Sequence, residues 1–214
     1  MAKTPWYAKK SWNSADREDF LTRLRAVVGG HEQASTLRKQ AGHLLQQAAK
    51  APTAEADQLL AGARELYELF IDQFPGAAER AYALCALGDI LERSGEYEAA
   101  FTRWRAAMAA QRGTPRSTNA HLRFGLLAVR LQRVELYAEL TTMLEEFGQV
   151  LIYPLDQYQH CGITAHLHLH AGTRELAVLC ARDAMAATKH IAVDVDAPFH
   201  QVLLGLTKPT VIKR

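Results

Sequence analysis

The chain has 214 residues, of which 49% are apolar and 22% charged, and a formal charge of +2. That length buries a core without disulfide or metal staples, and that apolar share excludes a disordered chain. The near-neutral balance excludes the overall basic character of a general nucleic-acid binder, and only 13 glycines and 7 prolines favour helix over strand.

The N-terminal segment MAKTPWYAKKSWNSADRED lacks the apolar run of a signal peptide. No later stretch approaches the ~20 apolar residues that span a bilayer. Residues 1–30 read as an aromatic arm and a capping helix. Trp6, Tyr7 and Trp12 stand among Lys3, Lys9 and Lys10. These aromatics either clamp the first helix onto the remaining helices, reach out to a partner, or stack on nucleic-acid bases.

From there to the tail, apolar residues recur at intervals of three and four between regular turn signals. The spacing predicts helices over 15–28, 32–50, 54–74, 77–94, 96–112, 117–132, 134–147, 155–171 and 174–190. Ser14, ahead of Asp16, Glu18 and Asp19, reads as an N-cap, as do Thr53 and Thr173. Gly95 sits where a left-handed C-cap belongs. The alternation HLHLH at 166–170 lies inside a helical window, so strands have little support. Residues 31–191 form the helical domain. Residues 192–214 form a tail with a short helix from Pro198 to Leu204 and an extended basic end. The fold class is all-α, with about nine helices.

Gly88, Gly125 and Ala165 occupy similar places in successive helix pairs, 37 and 40 residues apart. A period of that size built from helix–turn–helix units marks a solenoid, because one pair cannot bury its apolar face alone. The unit at 81–114 carries Leu84, Leu87-Gly88, Leu91, Gly95, Tyr97, Ala100, Trp104 and Ala107, and it resembles a tetratricopeptide (TPR) repeat. Three further units resemble it in part. Residues 44–77 keep Ala63, Tyr67, Phe70 and Pro75. Residues 118–151 keep Phe124-Gly125 but place Tyr137 where a small residue is usual. Residues 158–191 keep Ala165, Gly172, Ala177, Ala181 and Ala184. The linkers Gly113–Ser117 and Gly148–Pro154 make the period irregular.

The resemblance implies a right-handed superhelix of antiparallel helix pairs, with a concave groove lined by the first helix of each pair. By offset, the groove positions are Tyr82, Cys85, Asp89 and Glu92, then Asn119, Leu122, Arg123, Leu126 and Arg130, then Gln159, Ile163, His166 and His170. They do not reproduce the carboxylate clamp of the chaperone-binding members, which needs Lys or Asn at Asp89 and Cys85. Arg123, Arg130, His166 and His170 imply a basic patch for an acidic peptide, stronger below pH ~6.5 if the histidines titrate normally. The arginines pairing with Glu135 or Glu139 is the alternative.

No catalytic constellation stands out. His160, His166, His168 and His170 lie near Cys161, and His166 and His170 are one helical turn apart, but no third metal ligand is supplied locally. There is no HExxH pattern, GxSxG elbow, P-loop or GxGxxG. Glu145-Glu146 and the pair Asp194 and Asp196 read as solvated. The three cysteines, Cys85, Cys161 and Cys180, lack metal spacing and read as buried small apolar residues in a reducing cytoplasm. Residues 51–100 hold ten acidic and three basic side chains, whereas residues 101–150 hold four and seven. The expectation is a cytoplasmic, non-catalytic adaptor or scaffold without metal or cofactor. It binds a protein or peptide through Tyr82, Asp89, Asn119, Arg123, Arg130, His166 and His170. The alternatives are a metal-dependent or enzymatic protein using the histidine cluster, and a homo-oligomerisation module.

Overall fold

The computed structural model describes residues 5–112, 114, 117–148, 151 and 153–208. Lys3 of the arm, parts of the two irregular linkers and the basic end beyond Lys208 lie outside the described residues. Those described form ten α-helices, two short 3-10 turns and no strand. All nine expected helices are present, with ends within three residues of those predicted, and a tenth runs from Pro198 to Thr207. The chain divides into two compact units, Met1–Thr118 and Asn119–Arg214.

The first unit holds α1 (Ser14–Ala26), α2 (Gly30–Ala48), α3 (Thr53–Gln73), α4 (Arg80–Arg93) and α5 (Tyr97–Gln111). The N-cap of α1 is Asn13 rather than Ser14. Asn13 Oδ1 accepts from the Asp16 N–H at 2.9 Å, and the Asp16 carboxylate reaches back to the Asn13 N–H. This reciprocal box satisfies two amides, where a lone serine cap would satisfy one. Thr53 is already helical, with Pro52 ahead of it in the cap position.

The aromatic arm is packed onto its own chain. Trp12 is buried, and the rings of Trp6 and Trp12 each lie 5.6 Å from that of Phe20. Gln40, fully buried on α2, accepts from the Lys9 N–H at 2.9 Å and donates to the Lys9 carbonyl at 3.2 Å. Gln58 of α3 donates to the Trp12 carbonyl at 3.0 Å. Both backbone groups of Lys9 are thus satisfied by one amide, which fixes the arm's path.

Trp104 of α5 is fully buried against Gly88 of α4, where a Cβ would collide with the indole. Trp12 lies over Gly62 of α3 in the same way. Between α4 and α5, Gly95 adopts φ +77° and the Glu96 N–H bonds back to the Leu91 carbonyl at 2.9 Å. This is a Schellman closure, and its left-handed residue suits glycine.

The second unit holds α6 (Ala120–Arg130), α7 (Tyr137–Phe147), α8 (Pro154–His170), α9 (Arg174–Ala187) and α10 (Pro198–Thr207). The same closure recurs twice. Gln132 has φ 52° with the Arg133 N–H on the Ala128 carbonyl, and Gly172 has φ +76° with the Thr173 N–H on the His168 carbonyl, each at 2.9 Å. The left-handed residues 95, 132 and 172 repeat the intervals of 37 and 40 residues. Thr173 occupies the N-cap position of α9 without capping it through its side chain; its hydroxyl donates to the His168 carbonyl instead. Phe199 and Leu203 of α10 seat on Gly162 of α8, and Tyr158 Oη lies 3.1 Å from His200 Nδ1 in a buried hydrogen bond.

Trp104→Ala is expected to cost ~3–5 kcal/mol in a urea titration of the full chain. Gly88→Ala is expected to destabilise by about 1–2 kcal/mol despite the better helix propensity of alanine. A Trp104→Ala loss below ~1 kcal/mol would show that the indole does not hold α4 and α5 together.

Candidate functional site

In the first unit, α4 presents Tyr82 half exposed, while Cys85 is buried and Asp89 partly buried. The Arg38 guanidinium, from α2, stands 5.7 Å from the centre of the Tyr82 ring. A cation held over an aromatic face restrains both side chains. Asp89 accepts a hydrogen bond from Trp104 Nε1 at 3.2 Å, so this carboxylate is tied to the core indole.

Beneath this face lies Tyr67 of α3, fully buried, its hydroxyl without a hydrogen-bond partner among the described residues. Burial pushes the Tyr67 phenol well up, with Tyr82, Asp89 and Cys85 acting in the same sense and Arg38 against it. Five side chains from three helices therefore share one electrostatic neighbourhood. Tyr82, Cys85 and Asp89 follow from the repeat offsets. Tyr67 shows in the sequence only as a core aromatic 37 residues before Trp104, and Arg38 carries no sequence signal at all.

In the second unit, Asn119 stands at the N-cap of α6, its carbonyl accepting from the Leu122 and Arg123 N–H groups at 3.0 and 3.1 Å. Arg123 is partly buried near Asp156 of α8. Burial raises the Asp156 carboxyl, and the Arg123 charge draws it back down. Arg130 is exposed at the end of α6. His166 stacks on Phe199 of α10, ring centres 5.0 Å apart at 12°, whereas His170 meets Tyr137 of α7 edge-on at 5.1 Å. One helical turn thus sends the two histidines to different neighbours. Burial holds His166 below the ordinary histidine range, partly offset by a backbone hydrogen bond at Phe199, so its charging is displaced to lower pH.

His121 of α6 was not singled out by the sequence, yet it is the most perturbed histidine. It is buried, neither ring nitrogen has a partner among the described residues, and the Phe147 ring lies 5.9 Å away. Burial, then the neighbouring His160, pulls its pKa down to about 4. His160, also lowered by burial, packs against Gly148. It lines an apolar cleft of about 380 Å³ with Leu144 and Leu167 between α7 and α8. Among the described residues no group of three or more His, Cys, Asp or Glu side chains is placed to hold a metal ion. Burial pushes the Cys161 thiol up to about 11 and also raises Cys180, so both stay protonated and poorly nucleophilic at neutral pH. No described helix is long and apolar enough to cross a membrane. No protein-family model matches the chain, and no curated protein matches it.

The buried histidines set a pH dependence. His121 is about 4 when folded against an ordinary 6.5, so folding favours its neutral form. Stability is therefore full above pH 6.5 and falls as the pH drops through the window from 6.5 to about 4. At pH 5 the second unit is expected to be about 2 kcal/mol less stable than at pH 7.5. His160 and His166 act in the same direction. Chemical denaturation at both pH values checks this, and His121→Phe should flatten the profile.

Proposed function

We propose that the chain is a non-catalytic, TPR-like interaction module that holds a protein or peptide segment on the first helices of its hairpins. The observation that carries this reading is the Arg38–Tyr82 pair on the α4 face, a half-exposed ring braced by a guanidinium at a repeat-derived groove position. The three left-handed closures at intervals of 37 and 40 residues support the repeat reading. A cation beside an aromatic ring suits a segment that offers a carboxylate next to an apolar side chain. In the second unit, taken by itself, Arg123 and Arg130 are the basic residues at the offset-derived positions. Three free cysteines suit a reducing compartment such as the cytoplasm.

The test is recovery of proteins co-purifying with the tagged full chain from its native host, followed by affinity measurement with the stoichiometric partner. Tyr82→Ser and Arg38→Gln should each weaken binding about tenfold, or ~1.4 kcal/mol, at unchanged melting temperature. Reversal of Arg123 and Arg130 to Glu reads the second unit in the same assay. Unchanged affinity in the Tyr82 and Arg38 variants would remove the α4 face from the binding site.

A further inference from the structure

Helix α9 buries a row of alanines and leaves two leucines outside. Ala177, Ala181, Ala184 and Ala187 form its buried face, within a core shared with Tyr158 and Ala165 of α8 and Leu203 and Leu206 of α10. Leu176 and Leu179 are 46% and 54% exposed. Alanine on the inner face permits close packing on α8. That packing does not require leucines in water on the opposite side, where each exposes a large apolar side chain without a neighbour to cover it.

The polar residues beside them are arranged with a sense. Glu175 and Arg182 are both exposed and seven residues apart. At 3.6 residues per turn they share one flank of the helix, two turns apart, with Leu179 between them; Leu176 and Asp183 lie on the other flank. About 10 Å of helix separates Glu175 from Arg182, too far for the two to pair with each other. Neither forms an ion pair among the described residues.

We propose that this face of α9 is a homodimer contact, on which a second copy of the chain lays its own α9 antiparallel. A twofold axis passing between Val178 and Leu179 sets Glu175 of each copy opposite Arg182 of the other, on the same flank of both helices. The Leu179 side chains meet at the centre, with Leu176 beside them. A parallel pair would turn this flank toward the opposite flank of the partner, setting Arg182 beside Asp183 and leaving Glu175 beside Leu176. Only the antiparallel register gives both Glu175 and Arg182 an opposite charge, while the leucines supply the burial. This self-matching of one Glu–Arg spacing is what singles out a second copy as the occupant. The proposal is independent of the peptide-binding reading, which concerns α4 and α6.

Sedimentation equilibrium of the full chain over micromolar to submillimolar concentrations tests it. The wild type should show a reversible monomer–dimer equilibrium. Leu179→Glu should raise the dimer Kd by about tenfold or more, with the dilute protein melting as before. Glu175→Arg and Arg182→Glu should each weaken the dimer alone. An equimolar mixture of those two should form a heterodimer, and the double variant should dimerise with itself. A wild type that stays monomeric overturns the proposal and leaves α9 to a different occupant. A dimer indifferent to all three single substitutions overturns it by placing the contact elsewhere. Failure of the mixture to recover, when each single variant is weakened, overturns the antiparallel register.

Discussion

The close approach of helices at glycine, with a large side chain laid over the bare backbone, is the interaction on which the packing of each unit rests. Trp104 over Gly88 and Trp12 over Gly62 are the two instances in the first unit. A flat indole against a helix that lacks a Cβ fills space that two ordinary side chains would leave as void, and dense packing is what makes a core cohesive. The contact also aims Trp104 Nε1 at Asp89, so a core residue positions a surface carboxylate. The second unit uses the same device with different partners: Ile163 and Leu140 at Gly125, and Phe199 and Leu203 at Gly162. The alanine face of α9 answers the same demand for closeness without glycine.

Three Schellman closures turn the chain between the helices of these hairpins. Two have glycine at the left-handed residue, and the third has Gln132. A side chain in that conformation costs roughly 1–2 kcal/mol that glycine avoids. The same hairpin places Tyr137 where its counterparts have Ala100 and Ala177, and its second helix starts only after a 3-10 turn at Val134–Leu136. The short α7 that results ends at Phe147 and Gly148, which contact His121 and His160. The least regular hairpin is therefore also where His121 is buried without a hydrogen-bond partner among the described residues, and part of the pH dependence of stability originates there.

Legibility of the candidate site follows the range of the interactions involved. Tyr82 and Asp89 emerge from the sequence because their positions are fixed by offsets within one helix pair. Arg38 lies 44 residues from Tyr82 and on a different helix, so only the packed structure brings it over the ring. His166 and His170 share a helical face on paper, yet α10 claims one and α7 the other. A helical wheel shows which way a side chain points and is silent about what lies opposite. The cap of α1 is a finer case: Ser14 and Asn13 both have capping chemistry, and the geometry of the preceding turn chooses Asn13.

By itself, the sequence determined the all-helical class, the helix ends to within a few residues and the left-handed turn at Gly95. Each depends on backbone hydrogen bonds four residues apart or on the 3.6-residue apolar period, both of which are local. The tertiary structure alone decided where the aromatic arm packs, that α10 docks on Gly162, which histidines lose water, and which guanidinium meets Tyr82. Those outcomes depend on the rotation and spacing of one helix against another. The summed fit of side chains far apart in the chain sets both, and no single stretch of sequence encodes them.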